Sequence, residues 1–200
     1  MTTPSVDFYW DPASPYTYLA ATQIRRIAEA TGATFHWKPF LLGFVFKATG
    51  NAPPVNIKAK GAYMPKDLAL WARHTQVPFT FPASFPVNSI APTRFALAAE
   101  QHEKGVDAAL ALMHAHWGEG KDISDAAVLA GIAGDLGLDA GQITEAMGTD
   151  AIKAQLKTNT DEAVQRGAFG APTFFVGDTM LWGNDRLVLL EEILKGNLAA

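Results

Sequence analysis

Ser14 is followed at once by Pro15, and apolar residues at helical spacing begin directly after it, at Tyr18, Leu19, Ile24 and Ile27. A serine so placed is an N-cap, with proline at the first helical position, where its missing N–H costs nothing. The same hydroxyl has one kind of chemistry open to it. It can donate a hydrogen bond to an anion held at the helix start, where free amides and the helix dipole favour negative charge. A thiolate supplied from outside the chain is such an anion. The residues alone leave cap and thiolate donor both open. Two further segments carry chemistry in their turns. Gly170-Ala171-Pro172-Thr173 leads into an aromatic run, where Pro172 reads as an ordinary strand-entry proline. Trp182-Gly183-Asn184-Asp185-Arg186-Leu187 opens the last helix, with Asn184 or Asp185 as its cap. Free amides there favour an anionic group, while Asp185 would equally pair with an ammonium.

Other chemistry is excluded by composition. The 200 residues include no cysteine, so there is no disulfide, no thiolate metal site and no protein thiol for redox or nucleophilic work. His74, His102, His114 and His116 fall on helical segments without a matching ligand set. His114 and His116 are two residues apart, roughly 200° around a helix, so no metal site is expected. Sixteen Lys and Arg against twenty Asp and Glu give a net charge of −4, scattered along the chain, which argues against nucleic acid. No apolar run is long enough for a spanning helix, so no membrane is expected. Met1-Thr2-Thr3-Pro4-Ser5 lacks the features of a secretory leader, and the expected location is cytoplasmic.

The elements that must position these residues read in a clear order. A strand over 6–10, a helix over 15–31 stopped by Gly32, and a strand over 34–40 form a βαβ unit and hence a parallel pair. A loop over 51–55, a helix over 60–74 and a proline-punctuated connection over 78–86 follow. Helical stretches are predicted over 93–104, 108–117, 125–136 and 150–166, with Asp125 and Asp139 as caps. A hairpin over 173–182 turns at Gly177-Asp178, and a last helix covers 185–194. The order βαβ, helical block, ββα predicts an α/β protein, a thioredoxin-like core split by an all-helical insertion, DsbA-like in layout. Residues 1–45 and 168–200 make the core and 46–167 the insertion. In thioredoxin-type oxidoreductases the first helix begins with a Cys-x-x-Cys pair, and Ser14 and Thr17 stand at those two positions. That scaffold also carries a cis-proline at the position of Pro172, although an X–Pro bond by itself reads as trans. The residue before it, here Ala171, offers backbone groups to an extended peptide, and glutathione is such a peptide.

Taken in order, Asp7-Phe8, Ser14-Pro15-Tyr16-Thr17-Tyr18-Leu19, Gly50-Asn51, Lys60-Gly61-Ala62-Tyr63-Met64, Phe81-Pro82, Phe85-Pro86-Val87-Asn88-Ser89, Phe169-Gly170-Ala171-Pro172-Thr173 and Trp182-Gly183-Asn184-Asp185-Arg186-Leu187 resemble one family over about residues 5–195. It is that of the 2-hydroxychromene-2-carboxylate isomerases and their kappa-class glutathione transferase relatives, in the DsbA-like thioredoxin superfamily. The resemblance implies glutathione as cofactor, with Ser14 holding its sulfur. It places Ala171 and the cis-Pro172 at the cysteinyl unit, Asn184 and Asp185 at the γ-glutamyl unit, and Asn51 and Lys60 as contacts from the insertion. It implies isomerisation of a small aromatic carboxylate by transient thiolate addition, in aromatic-compound degradation, and it admits a homodimer. Tyr63, Phe85, Asn88, Arg94 and Trp117 are the residues expected to line a substrate cleft between core and insertion. Phe85 and Trp117 would equally serve as core between the two parts. Pro12-Ala13 stands where many relatives carry bulkier residues, which reshapes the wall before the serine. Thr17 in place of serine is a minor departure, and Pro92 shifts where its helix can begin. Two other functions fit the same residues: a transferase that releases a glutathione conjugate, and a non-catalytic DsbA-like peptide binder.

Overall fold

A computed structural model describes residues 3–199; Met1, Thr2 and Ala200, at the outer ends of the expected core segments, lie outside the described residues. β1 (Ser5–Trp10) and β2 (Thr34–Pro39) run parallel, Ser5 opposite Thr34 through Trp10 opposite Pro39. The crossover between them is α1 (Pro15–Thr31). α1 starts where Ser14, in extended conformation, accepts a hydrogen bond from the Thr17 amide. It stops at Gly32, whose φ of 70° lets its N–H return to the Ala28 carbonyl. β3 (Thr173–Val176) lies antiparallel to β1, and β4 (Thr179–Trp182) pairs antiparallel to β3. The sheet order is β2-β1-β3-β4.

Alternation along β1 sends side chains to two separate cores. Val6, Phe8 and Trp10 join Ile24 and Ile27 of α1 on one face. Tyr9 packs with Phe40, Val45 and Phe175 on the other. With both faces covered, β1 carries the unbroken apolar run Phe8-Tyr9-Trp10 rather than a clean alternation.

Between β2 and β3 come α2 (Leu42–Thr49), a short turn at Pro54–Asn56, α3 (Lys58–Thr75), α4 (Ile90–Glu100) and α5 (Gly105–Met113). α5 runs into a π-helical turn, His114–Gly118. Then follow α6 (Ala126–Asp135), α7 (Ala140–Met147) and α8 (Asp150–Gln165), and the chain closes with α9 (Leu187–Leu194). Ala96, Ala98 and Ala99 of α4 and Ala108 and Ala109 of α5 are buried, so those helices approach closely. The core of β1 and α1 continues without a break into Phe95, Leu112, Met113 and Trp117.

Several elements depart from the expectation. α2 and α7 were not predicted as helices; each has eight residues with an internal glycine, Gly43 or Gly141. The expected domain limit after residue 45 falls inside α2. α4 starts at Ile90, three residues early, because Pro92 sits at the third helical position, where no intrahelical N–H is required. Pro65 lies well inside α3, so the Gly61 carbonyl lacks its donor four residues on.

Ion pairs fix the two helices that flank the sheet. Arg166 meets Asp7 at 2.6 Å, and Lys38 reaches Glu162 at 3.0 Å, tying α8 to β1 and β2. At α9, Arg26 lies 2.8 Å and Lys195 2.7 Å from Glu191. Their hydrogen bonds hold the Glu191 carboxyl down at about 2. Because the folded value is depressed, this stabilisation is present above the ordinary 4.5 and is lost as pH falls through 2. Glu191→Gln is expected to cost no more than about 1 kcal/mol at neutral pH, as for surface pairs. Urea midpoints of the two proteins should differ at pH 7 and converge as the pH approaches 2. No helix among the described residues is long and apolar enough to cross a membrane.

Candidate functional site

The start of α1 and the loop entering β3 meet at one hydrogen bond. Ser14 Oγ donates to the Ala171 carbonyl at 3.1 Å and accepts from the Thr17 amide at 3.2 Å. Ser14 is only 4% exposed, yet its one hydroxyl proton is held by nothing stronger than a neutral carbonyl. The Ala171–Pro172 peptide is cis, as the scaffold implies and the bare sequence does not. Phe85–Pro86 is also cis, which the sequence reading did not anticipate. The Pro172 carbonyl accepts from the Gly183 amide at 3.0 Å, which brings buried Asn184 and exposed Asp185 beside this loop. Gly183 has φ 107°, a conformation side chains rarely adopt. A Cβ on Gly170 would collide with the Trp182 indole nitrogen, so glycine is required for that close approach.

Asn51 joins the same loop from the insertion, its Nδ2 donating to the Phe169 carbonyl at 2.8 Å. Lys60 stands exposed in the first turn of α3 and pairs with no carboxylate among the described residues. Asp185 is engaged by the neighbouring Arg186 at 2.6 Å.

Beneath the turn lies a group that the sequence reading missed. Asp11 is fully buried and accepts from the Ala13 amide, the Leu42 amide and the Ser89 hydroxyl, each at 2.8 Å. One carboxylate thus fixes the residues before Ser14 to the starts of α2 and α4. Burial pushes its carboxyl up, and the three hydrogen bonds oppose that. Nothing in Asp11-Pro12 distinguishes this clamp from an ordinary loop aspartate.

Aromatic rings stand behind Pro12-Ala13. Trp117 donates its indole N–H to the Pro12 carbonyl at 2.8 Å and stacks on Phe79, with ring centres 6.0 Å apart. Phe81 and Phe85 pack on it at 5.9 and 5.7 Å. Trp117, expected in the cleft lining, has no exposed surface, because the ring and its N–H are consumed in holding the serine turn. Phe85 and the 41% exposed Phe81 present the wall instead. Asn88 caps α4 through the Ile90 amide at 3.0 Å. Tyr63 donates to one oxygen of Asp67 at 3.1 Å, while Tyr16, two residues past Ser14, donates to the other at 2.9 Å. Tyr16 was legible only as part of its motif, and Asp67 not at all.

Arg94 is the outlier among the expected cleft residues, since it lines a groove between α2, α4 and α8 that contains none of the groups above. His116 is buried with Nδ1 2.8 Å from the Lys121 carbonyl, and burial lowers its pKa. Among the described residues no three His, Asp or Glu are placed to hold a metal ion.

Residues 5–195 match the family described as DSBA-like thioredoxin domain. A 2-hydroxychromene-2-carboxylate isomerase of Sphingobium xenophagum is 38% identical over 96% of this chain and 98% of its own. The human glutathione S-transferase kappa 1 is 32% identical over 95% and 90%. The solved structure of a selenomethionine 2-hydroxychromene-2-carboxylate isomerase superposes with a TM-score of 0.89 at 31% identity, covering 96% of this chain and 95% of that one.

Proposed function

The chain belongs to the DsbA-like thioredoxin family, and from that premise we propose that it is a glutathione-dependent isomerase interconverting a 2-hydroxychromene-2-carboxylate and a hydroxybenzylidenepyruvate. The observation that carries this is the hydroxyl of Ser14, aimed from a helix start at the Ala171 carbonyl where thioredoxin-type enzymes place cysteine. The relatives that bear the isomerase name match along nearly their whole length. A cytoplasmic place in aromatic-compound breakdown, as a homodimer, goes with the same reading.

The residues present suit glutathione. Ser14 is a donor at a positive helix end, and Ala171 offers a carbonyl that an incoming peptide N–H can take over. That exchange frees the Ser14 proton for the sulfur. Asn51 and Lys60 approach from the insertion, Lys60 as the cation for a carboxylate, and Asn184 and Asp185 from the short turn before α9. When bound, glutathione supplies a thiolate whose addition to the conjugated side chain permits rotation and whose elimination restores the double bond. Ser14 and the amides of the first turn stabilise the negative charge, already oriented before the reaction starts. Phe81 and Phe85, braced by Trp117, hold the aromatic ring of the substrate, and Tyr63 and Asn88 border it. Lys60→Ala is expected to raise the glutathione KM about fivefold at low salt, the worth of an exposed pair of about 1 kcal/mol. The effect should shrink at high salt, which screens exposed charges.

The deciding assay follows isomer formation and total glutathione together. Isomerisation that requires glutathione and leaves its amount unchanged supports the proposal; equal isomerisation without glutathione contradicts it. The kappa-class relative favours a second reading, a transferase. Stoichiometric loss of glutathione into a conjugate with a halogenated nitroaromatic, without isomerase activity, would establish that one instead. Binding of an extended peptide without either reaction would indicate a non-catalytic DsbA-like binder.

A further inference from the structure

Arg94 belongs to none of the machinery above, and its surroundings are unusual. It projects from α4 into a groove of about 540 Å³ whose floor is Leu41, Phe44, Leu156 and Val164. The lining is mostly apolar, and Phe44 is 59% exposed within it. Lys153 and Lys157 stand on the α8 side, each already paired, with Asp150 and Asp161 respectively. Arg94 has no such partner. Among the described residues no carboxylate lies within ion-pair distance of it, and its Nε is buried with no hydrogen-bond acceptor. Arg94 is half-buried; burying its Nε–H without an acceptor is costly, and an anionic ligand that pairs with the guanidinium offsets that cost.

We propose that this groove is a second binding site, for a carboxylate with an apolar body, whose charge pairs with Arg94 while the body covers Phe44 and Leu156. The charge count sets the class. One cation is unpaired, which suits a monoanion, and the volume falls in the range of small-molecule sites. An aryl carboxylate and an acyl carboxylate share this chemistry. None of it depends on what Ser14 does, because the groove includes neither Ser14 nor Ala171.

The test is calorimetric titration of 2-naphthoate, and separately decanoate, into the full chain with glutathione at saturation, beside R94M and R94K. The expected result is saturable binding that weakens tenfold or more in R94M and by no more than about threefold in R94K. Neutral 2-naphthamide should bind at least tenfold more weakly than the acid, and equally to the unaltered chain and R94M. Tighter 2-naphthoate assigns an aryl ligand, and tighter decanoate an acyl one. R94M is expected to melt no lower than the unaltered chain, since it removes a buried N–H that has no acceptor. Should it fail to fold, the comparison of acid with amide on the unaltered chain decides. Equal affinity of R94M and the unaltered chain, equal affinity for acid and amide, or dimerisation that excludes 2-naphthoate from the groove would each overturn the proposal.

Discussion

Ser14→Ala is expected to lower turnover at saturating glutathione by about 10²-fold or more, the effect of deleting one preorganised donor from a site of developing charge. The loss belongs to chemistry rather than to folding. Ser14 caps α1 through the Thr17 amide, and removing a cap costs about 1 kcal/mol, which leaves a folded protein. Its other bond, to the Ala171 carbonyl, is an exchangeable contact between two segments. A denaturation midpoint displaced only slightly, with turnover reduced a hundredfold, would separate the two roles. Turnover equal to that of the unaltered chain would remove Ser14 from the mechanism.

The second large effect is on stability. Asp11→Ala is expected to cost about 3–5 kcal/mol, because it strands two backbone amides and a hydroxyl that share one buried acceptor group. Urea denaturation measures it directly. Asp11→Asn is expected to cost about 1–3 kcal/mol, since its amide nitrogen must face an N–H whichever way it turns. The pH dependence has a definite sign. Burial raises this carboxyl in the folded chain, so the native state holds the proton longer than the unfolded one. The stabilising contribution is fully present below the ordinary 3.8 and declines as pH rises through the raised folded value. Asp11→Asn has no such proton, and its stability should lack that decline.

What the sequence made legible follows from how local each signal is. The Ser14–Pro15 start and Gly32 stop of α1, the hairpin at Gly177-Asp178, and the caps at Asp125 and Asp139 rest on neighbouring residues. The βαβ…ββα order made the α/β class readable before any contact was known. α2 and α7 escaped because eight residues interrupted by glycine carry too few turns to show a period, even with Asp139 marked as a cap. The same limit applies to the site. Ser14, Ala171 and Pro172 sit in recognisable motifs, and the fold brings them together across 157 residues of chain. Asp11 acts on Leu42 and Ser89, distant in sequence, so its importance exists only in three dimensions. Trp117 shows the reverse difficulty: an aromatic residue suits a cleft wall and a buried brace equally, and its bond to the Pro12 carbonyl decides for the brace. Arg94 likewise suited a carboxylate in the main cleft by its type, and only the packing of α2, α4 and α8 shows which groove it lines.

The most direct measurement uses the absence of cysteine from the chain, which makes any thiolate absorbance that of glutathione, and the part from free glutathione is subtracted with a protein-free blank. All four tyrosines, Tyr9, Tyr16, Tyr18 and Tyr63, titrate above the ordinary value, Tyr18 at about 12, so they stay silent through neutral pH. The ultraviolet thiolate signal of the complex is therefore titrated from pH 5 to 9, for the unaltered chain and for Ser14→Ala. The expected result is a bound thiol that ionises near or below pH 7 and returns by about one unit or more toward the ordinary 8.5 in the variant. A bound thiol that ionises near 8.5 in the unaltered chain would contradict thiolate activation by Ser14.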